Sequence, residues 1–201
     1  MLLPRHPEAN IVRVQLRQNV ALQHLNAEQW HELEPLLEVV DYPKGETLEH
    51  QGDLSMEQYF IIEGILKRSV SNAEGREMIL RFAAESDIDT SYAAWRLKTP
   101  IPYSIRTVTR VRAAKLSMEQ WVCFLERRPA VKSEFELEIM KLMSEVMAHT
   151  ITLHLLDAPG RVHRFMRKHA ALAERLPKKE LASYLNLSPE TLSRLKRRGK
   201  I

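Results

Sequence analysis

The chain has 201 residues, 44% of them hydrophobic, with 30 Lys and Arg against 26 Asp and Glu and a formal net charge of +4. That length and apolar content allow one larger and one small domain. No apolar run approaches the roughly 20 residues that cross a bilayer. Arg5, His6, Glu8 and Arg13 interrupt the N-terminus where a signal peptide needs an apolar stretch, so a cytoplasmic protein with no membrane partner is expected. The charge is uneven: residues 151–201 hold 12 Lys and Arg against 4 Asp and Glu, whereas residues 1–150 hold 18 against 22. A basic C-terminal module suited to phosphate contacts therefore follows an acidic remainder.

Residues 16–38 read as helical, with Leu16, Val20, Leu22, Leu25, Trp30, Leu33, Leu36 and Leu37 as the inner positions and Asn26 capping the NAEQ segment. From Val39 to about Ser117 the pattern changes to short apolar runs bounded by turn signals, which predicts six or more strands. Asn72 to Gly75 predicts a hairpin loop, and Gly45, Gly52 and Gly64 punctuate turns of a small antiparallel roll. Cys123, alone in the run Trp121 to Leu125, has no partner for an internal disulfide and reads as a buried, inert thiol of a reducing compartment.

Phe135, Ile139, Leu142, Val146, His149, Leu153 and Leu156 follow each other at spacings of 4, 3, 4, 3, 4 and 3. This is the seam of a coiled coil, and it predicts a helix that zips to a second copy; a single helix buried against its own domain has the same spacing. A second stripe, Met140, Met143, Met147 and Ile151, is expected to pack on the roll. Asp157-Ala158-Pro159-Gly160 then breaks the helix as a hinge, and Arg161 to Leu172 predicts the next one.

Leu176 to Lys196 reads as a helix-turn-helix. Leu181 and Leu185 form an apolar ridge, Asn186 tolerates the positive φ of the turn, Ser188 caps and Pro189 starts a second helix, and Leu187 staples onto Leu192. With Leu192 and Leu195 inward, Glu190, Ser193, Arg194 and Arg197 share the outer face, where they can reach base edges in a major groove. A solvated helical hairpin with a Glu190–Arg194 ion pair is the plainer alternative.

YPKGETLEHQGD, YFIIEGILKRSV and EGREMILRFAAESDI, followed by a long helix and a helix-turn-helix ending in ETLSR, resemble the Crp/Fnr superfamily of bacterial transcription factors from about Leu25 to Ile201. The resemblance implies an α+β fold: an antiparallel β-roll of double-stranded β-helix type with N-terminal helices over residues 1–128, a dimerisation helix over 129–156, and a helix-turn-helix DNA-binding domain over 157–201. It implies a homodimer that binds double-stranded DNA at a palindrome with half-sites one helical turn apart, and it allows RNA polymerase as a further partner. Glu190, Ser193 and Arg194 match the pattern by which one branch reads a TTGAT-like half-site. Lys178, Lys179, Ser188, Thr191 and Arg197 complete the expected DNA contacts. Family members begin a β-hairpin wing where this chain has Gly199-Lys200-Ile201, so a truncated or absent wing is expected.

Family members that bind a cyclic nucleotide use a Gly-Glu pair for the ribose and an Arg followed by Ser or Thr for the phosphate. Here Asp89, Thr90 and Ser91 fall at the first place and Pro100-Ile101-Pro102 at the second. An unneutralised phosphate in a partly buried pocket is costly, so cyclic AMP in the familiar mode is not expected. Asp89, Thr90, Ser91, Arg96 and Arg106 are the candidate residues for a different effector or none. A lone cysteine excludes an iron-sulfur cluster within one chain; haem stays open through His50, His149 or His154. No metal site and no catalytic residue is predicted. The competing class is a ligand-binding or cupin-like enzymatic roll with a basic interaction tail, but a cupin needs clustered His and Glu on its strands.

Overall fold

The computed structural model describes residues 1–75 and 77–197; the expected wing at Gly199-Lys200-Ile201 lies outside them. Among the described residues eight strands form two four-stranded antiparallel sheets. The strands are β1 (Glu38–Tyr42), β2 (Thr47–Glu49), β3 (Glu57–Glu63), β4 (Leu66–Ser71), β5 (Glu77–Ala83), β6 (Ile88–Thr90), β7 (Ser104–Thr107) and β8 (Val111–Ser117). Their order is β1-β8-β3-β6 in one sheet and β2-β7-β4-β5 in the other. The two inner faces enclose Tyr59, Ile61, Leu66, Ala83, Ile105, Val111 and Ala113.

Strand β3 explains why its sequence is continuously apolar. Tyr59 and Ile61 point into the roll, while the alternate residues Phe60 and Ile62 join a second core beneath the helices. That second core takes in α1 (Ala9–Leu16), α2 (Ala27–Leu33), α3 (Tyr92–Leu97) and α4 (Met118–Glu126). Residues 16–38 are therefore not one helix. Helix α1 ends at Leu16, and α2 starts at an Asn26 cap with Gln29 reciprocating. Helix α4 opens on a matching Ser117–Gln120 box. Cys123 lies on its exposed side, so the expectation of a buried thiol is corrected. Val122 and Phe124 on either side are the buried neighbours.

Helix α5 (Pro129–Leu155) spans 27 residues, and of its two apolar stripes the chain covers the one expected to face a second copy and leaves bare the one expected to pack on the roll. Phe135 is 1% exposed, set edge-on to Trp121 and Tyr92 at 5.1 and 5.2 Å between centroids. Leu142 is buried, Ile139 packs on the helical core, and His149 stacks on Tyr184. Val146, Leu153 and Leu156 are half-buried, with Leu156 just beyond the helix end. The stripe expected to pack on the roll is the outward one: Met140, Met143, Met147 and Ile151 are 50–65% exposed, and Leu155 near the helix end is exposed with them. The physical reason is that both the helical core and the C-terminal helices flank a single side of α5, which the heptad spacing alone does not identify.

The break after α5 falls at Leu156 and Asp157. Asp157 caps α6 (Ala158–Lys168) by accepting from the Gly160 N–H at 2.9 Å, so Ala158, Pro159 and Gly160 form the first turn of α6 rather than a linker. A Cβ at Gly160 would sit 2.8 Å from the Asp157 carboxylate, which would have to shift to make room. Helix α7 (Ala170–Arg175) follows. Helices α6 to α9 share a third core with Ile65, Ile79, Phe82 and Val108 of the roll.

Candidate nucleic-acid interface

The helix-turn-helix consists of α8 (Lys178–Tyr184) and α9 (Pro189–Arg197). Asn186 between them has φ +52°, the left-handed conformation that Asn tolerates better than most residues. The Leu187 N–H then returns to the Ala182 carbonyl at 2.9 Å, and Ala182 is buried. Ser188 Oγ accepts from the Thr191 N–H at 3.1 Å, capping α9, with Pro189 at its first position. Leu187 is half-buried against the core that holds Leu192 and Leu195.

Burial of Leu192 and Leu195 fixes the rotation of α9, and Glu190, Arg194 and Arg197 are exposed on its other side. Ser193 and Thr191 are half-buried, and the Ser193 hydroxyl donates to the Pro189 carbonyl at 2.7 Å. Among the described residues Arg194 has no ion-pair partner, so the alternative Glu190–Arg194 pair is not formed. The Glu190 carboxyl is held below its usual range by its own backbone N–H, the Ser188 hydroxyl and the charge of Lys178. It stays an acceptor at neutral pH. Lys178 and Lys179, both exposed, open α8 beside this face.

Among the described residues three ion pairs tie the module to the rest of the chain. Lys67 of β4, almost fully buried, bridges Glu77 at 2.8 Å and Glu180 of α8 at 2.9 Å. Arg175 grips Glu85 with two bonds of 2.7 and 2.6 Å, and Lys168 meets Glu145 of α5 at 3.0 Å.

The candidate effector residues separate into two groups. Asp89, Thr90 and Ser91 are buried together inside the roll. Arg96 is exposed and pairs with Glu126 of α4 at 3.2 Å; Arg106 is exposed and donates to the Gly45 carbonyl at 2.7 Å. Neither points to Asp89, which corrects the expected cluster. The cation that does is Arg68 of β4, absent from the expected set: its guanidinium grips Asp89, donates to the Thr90 carbonyl at 2.9 Å, and lies 4.1 Å from the Tyr103 ring centroid. Tyr103 in turn donates to the Thr90 carbonyl at 2.8 Å. Beside them Glu49 accepts from Ser91 Oγ at 2.6 Å and from the Glu57 N–H at 2.7 Å. Burial pushes the Glu49 carboxyl up to about 7. The detectable signal was the strand alternation: Leu66 is an inward position of β4, so Arg68 two residues on faces inward too.

A two-sheet roll, a long connecting helix and a C-terminal helix-turn-helix with an exposed polar face together define the architecture of a ligand-binding-type roll coupled to a transcription-regulator module. Residues 39–128 match the cyclic nucleotide-binding domain family. The nitrogen fixation regulation protein FixK of Bradyrhizobium diazoefficiens is 24% identical over 92% of this chain and 83% of its own length. The CRP-like cAMP-activated global transcriptional regulator of Mycobacterium tuberculosis is 24% identical over 79% of this chain and 75% of its own. The fold is also that of the c-di-GMP-responsive global regulator CLP of Xanthomonas campestris, with a TM-score of 0.72 at 18% identity over 87% of this chain and 92% of that one. Residues 39–128 therefore carry the family match, and over most of its length the chain is similar to these transcription regulators, whose fold it shares. Its curated relatives are regulators rather than enzymes, and among the described residues no helix is long and apolar enough to cross a membrane.

Proposed function

We propose that the protein is a dimeric, sequence-specific DNA-binding regulator of the cytoplasm that reads a palindromic TTGAT-like site through α9. The observation that carries this reading is the exposed Glu190, Arg194 and Arg197 face on a helix whose cap and inner leucines fix its rotation. Arg194 suits the bidentate acceptor edge of a guanine and Glu190 a base amino group. Lys178, Lys179, Ser188, Thr191 and Arg197 serve the phosphates, and Ser193 lies at the rim of the reading face. The dimer forms through the exposed stripe of α5, Met140, Met143, Met147, Ile151 and Leu155, since about four turns of exposed apolar helix ask for cover. A two-fold axis there sets two copies of α9 about 34 Å apart, one helical turn of DNA.

The roll works without cyclic AMP in its relatives' familiar mode. Arg68 is already committed to Asp89 and Tyr103, and the buried Lys67 and Arg81 to carboxylates of their own, so among the described residues of the roll no buried cation is left to neutralise a phosphate. Footprinting on a symmetric TTGAT-like site, without added nucleotide, tests the whole reading. Protection of both half-sites is expected; a folded dimer that protects no sequence preferentially at moderate salt would sink it.

A further inference from the structure

The joint between roll, α5 and the C-terminal helices holds a cavity of about 60 Å³. A cavity of about 150 Å³ admits benzene, so this one is far too small for a nucleotide, and it opens to solvent at the exposed Arg164 and Lys168, where a small ion can seat partly inside it.

The wall is cationic. Arg81 of β5 and Arg161, Arg164 and Lys168 of α6 line it, against the single lining carboxylate of Glu145, which Lys168 already holds. Arg81 and Arg161 are engaged by carbonyls and Asp87. Arg164 has no hydrogen-bond or ion-pair partner among the described residues. His169 lines the same space. His149 is locked flat on Tyr184, centroids 3.7 Å apart with 3° between the rings, and its buried Nε2 has no partner among the described residues. A buried polar atom left unpaired is costly, so an apolar occupant does not answer this wall and a neutral one leaves its charge unmet.

We infer that this cavity binds a small tetrahedral oxyanion of the phosphate class, held by Arg164, His169 and Nε2 of His149. Burial, assisted by the nearby charges of His169 and Lys168, pushes the His149 imidazole down to about 4. At neutral pH the ring is uncharged and donates through its other nitrogen to the Tyr184 backbone, so Nε2 accepts a hydrogen bond from a protonated oxygen of the anion and Arg164 supplies the charge. The anion would join α6 to α5 and β5 across the break at Leu156 and Asp157, so its binding stabilises the docked arrangement of the helix-turn-helix.

Free phosphate and the phosphate end of a small monoester share this chemistry. The test titrates the full chain with inorganic phosphate, and separately with glycerol phosphate, against chloride at constant ionic strength. It follows the histidine ring resonances and the thermal midpoint, with no DNA present, so failure of the DNA-reading proposal leaves its outcome unaffected. The expected result is a saturable shift of the His149 and His169 rings and a raised midpoint with one or both anions. Half-saturation should weaken at least about tenfold, or 1.4 kcal/mol, in Arg164→Ala and in His149→Phe, which keeps the stack and removes the nitrogen. Arg164 is exposed, so its variant carries the test alone if His149→Phe misfolds. No saturable shift up to about 50 mM, beyond the millimolar range that a few charge-assisted bonds reach, overturns the inference; so does unchanged half-saturation in Arg164→Ala.

Discussion

Lys67 and Glu180 stand 113 residues apart in the chain and meet at 2.9 Å, joining the roll to the first helix of the helix-turn-helix. The ammonium is 6% exposed and also holds Glu77, so removing it leaves two carboxylates facing each other across the interface. Lys67→Met should cost about 1–3 kcal/mol in denaturant unfolding. This is below the 3–5 typical of a fully buried pair, because the two carboxylates keep 33% and 23% of their surface. Hydrogen exchange should rise first in α8. An exchange increase confined to the roll would show that the bridge does not hold the module.

The Arg68–Asp89 pair is a different case, since its side chains are 4% and 0% exposed. Arg68→Met strands a buried carboxylate whose Oδ2 is already without a partner among the described residues, and a loss of about 3–5 kcal/mol is expected. The double variant Arg68→Met with Asp89→Leu should recover most of it, because an apolar pair of similar volume removes both desolvation penalties. A double variant as unstable as the single one would mean that the pair contributes net stability.

Glu49 gives the roll a pH dependence of unusual sign. Its folded-state carboxyl is raised from the ordinary 4.5 to about 7, chiefly by burial. The folded state therefore binds the proton more tightly than the unfolded one, and the favourable contribution is complete below about 4.5 and lost as pH rises through 7. Glu49→Gln keeps an acceptor for the Glu57 N–H and turns a donor to Ser91, whose hydroxyl can accept. The variant should match the parent near pH 5 and exceed it by on the order of 2 kcal/mol at pH 8. Parallel stability curves for the two proteins over this range would refute the assignment.

Reading the DNA divides into two kinds of contact. Arg194→Ala should lose about 1–3 kcal/mol on the specific site and relax selection at one guanine, with little change on random DNA. Lys178→Ala should weaken specific and random DNA alike and lower the salt slope by about one. Competition binding at two salt concentrations separates the two, and equal losses on both DNAs in both variants would remove the distinction.

The local parts of this architecture were legible in the residues, and the tertiary choices were not. Asn186, Ser188 and Leu192 each answer a need of the chain within four residues, a positive φ, a cap and an inward anchor, so the helix-turn-helix could be drawn from spacing. The resemblance of the roll rested likewise on turn-punctuated strands. Two stripes on α5 have equally good helical spacing, however, and which one the chain covers depends on Trp121, Tyr92 and Tyr184 arriving from distant elements. Arg68 was missed for a related reason. A charge in a short strand reads as a surface residue until its partner, Asp89 on β6, is known to face it.

The exposed stripe of α5 makes the last prediction, and it contrasts with the covered one. Met147 is 65% exposed and Met143 51%, so Met147→Glu, or Met143→Glu with it, leaves the folded chain without buried charge. In the proposed dimer the same glutamates face their symmetry mates across an apolar seam, where unpaired charges cost several kcal/mol. Light scattering should therefore show a folded monomer with an unchanged circular dichroism spectrum and strongly weakened binding to the palindrome. Phe135→Glu is the control for the alternative face. Phe135 is 1% exposed in the aromatic cluster with Trp121 and Tyr92, so a charge there should unfold the protein rather than merely separate two copies. A cleanly folded monomer from Phe135→Glu, together with an intact dimer in Met147→Glu, would return the seam to the stripe that the heptad spacing first suggested.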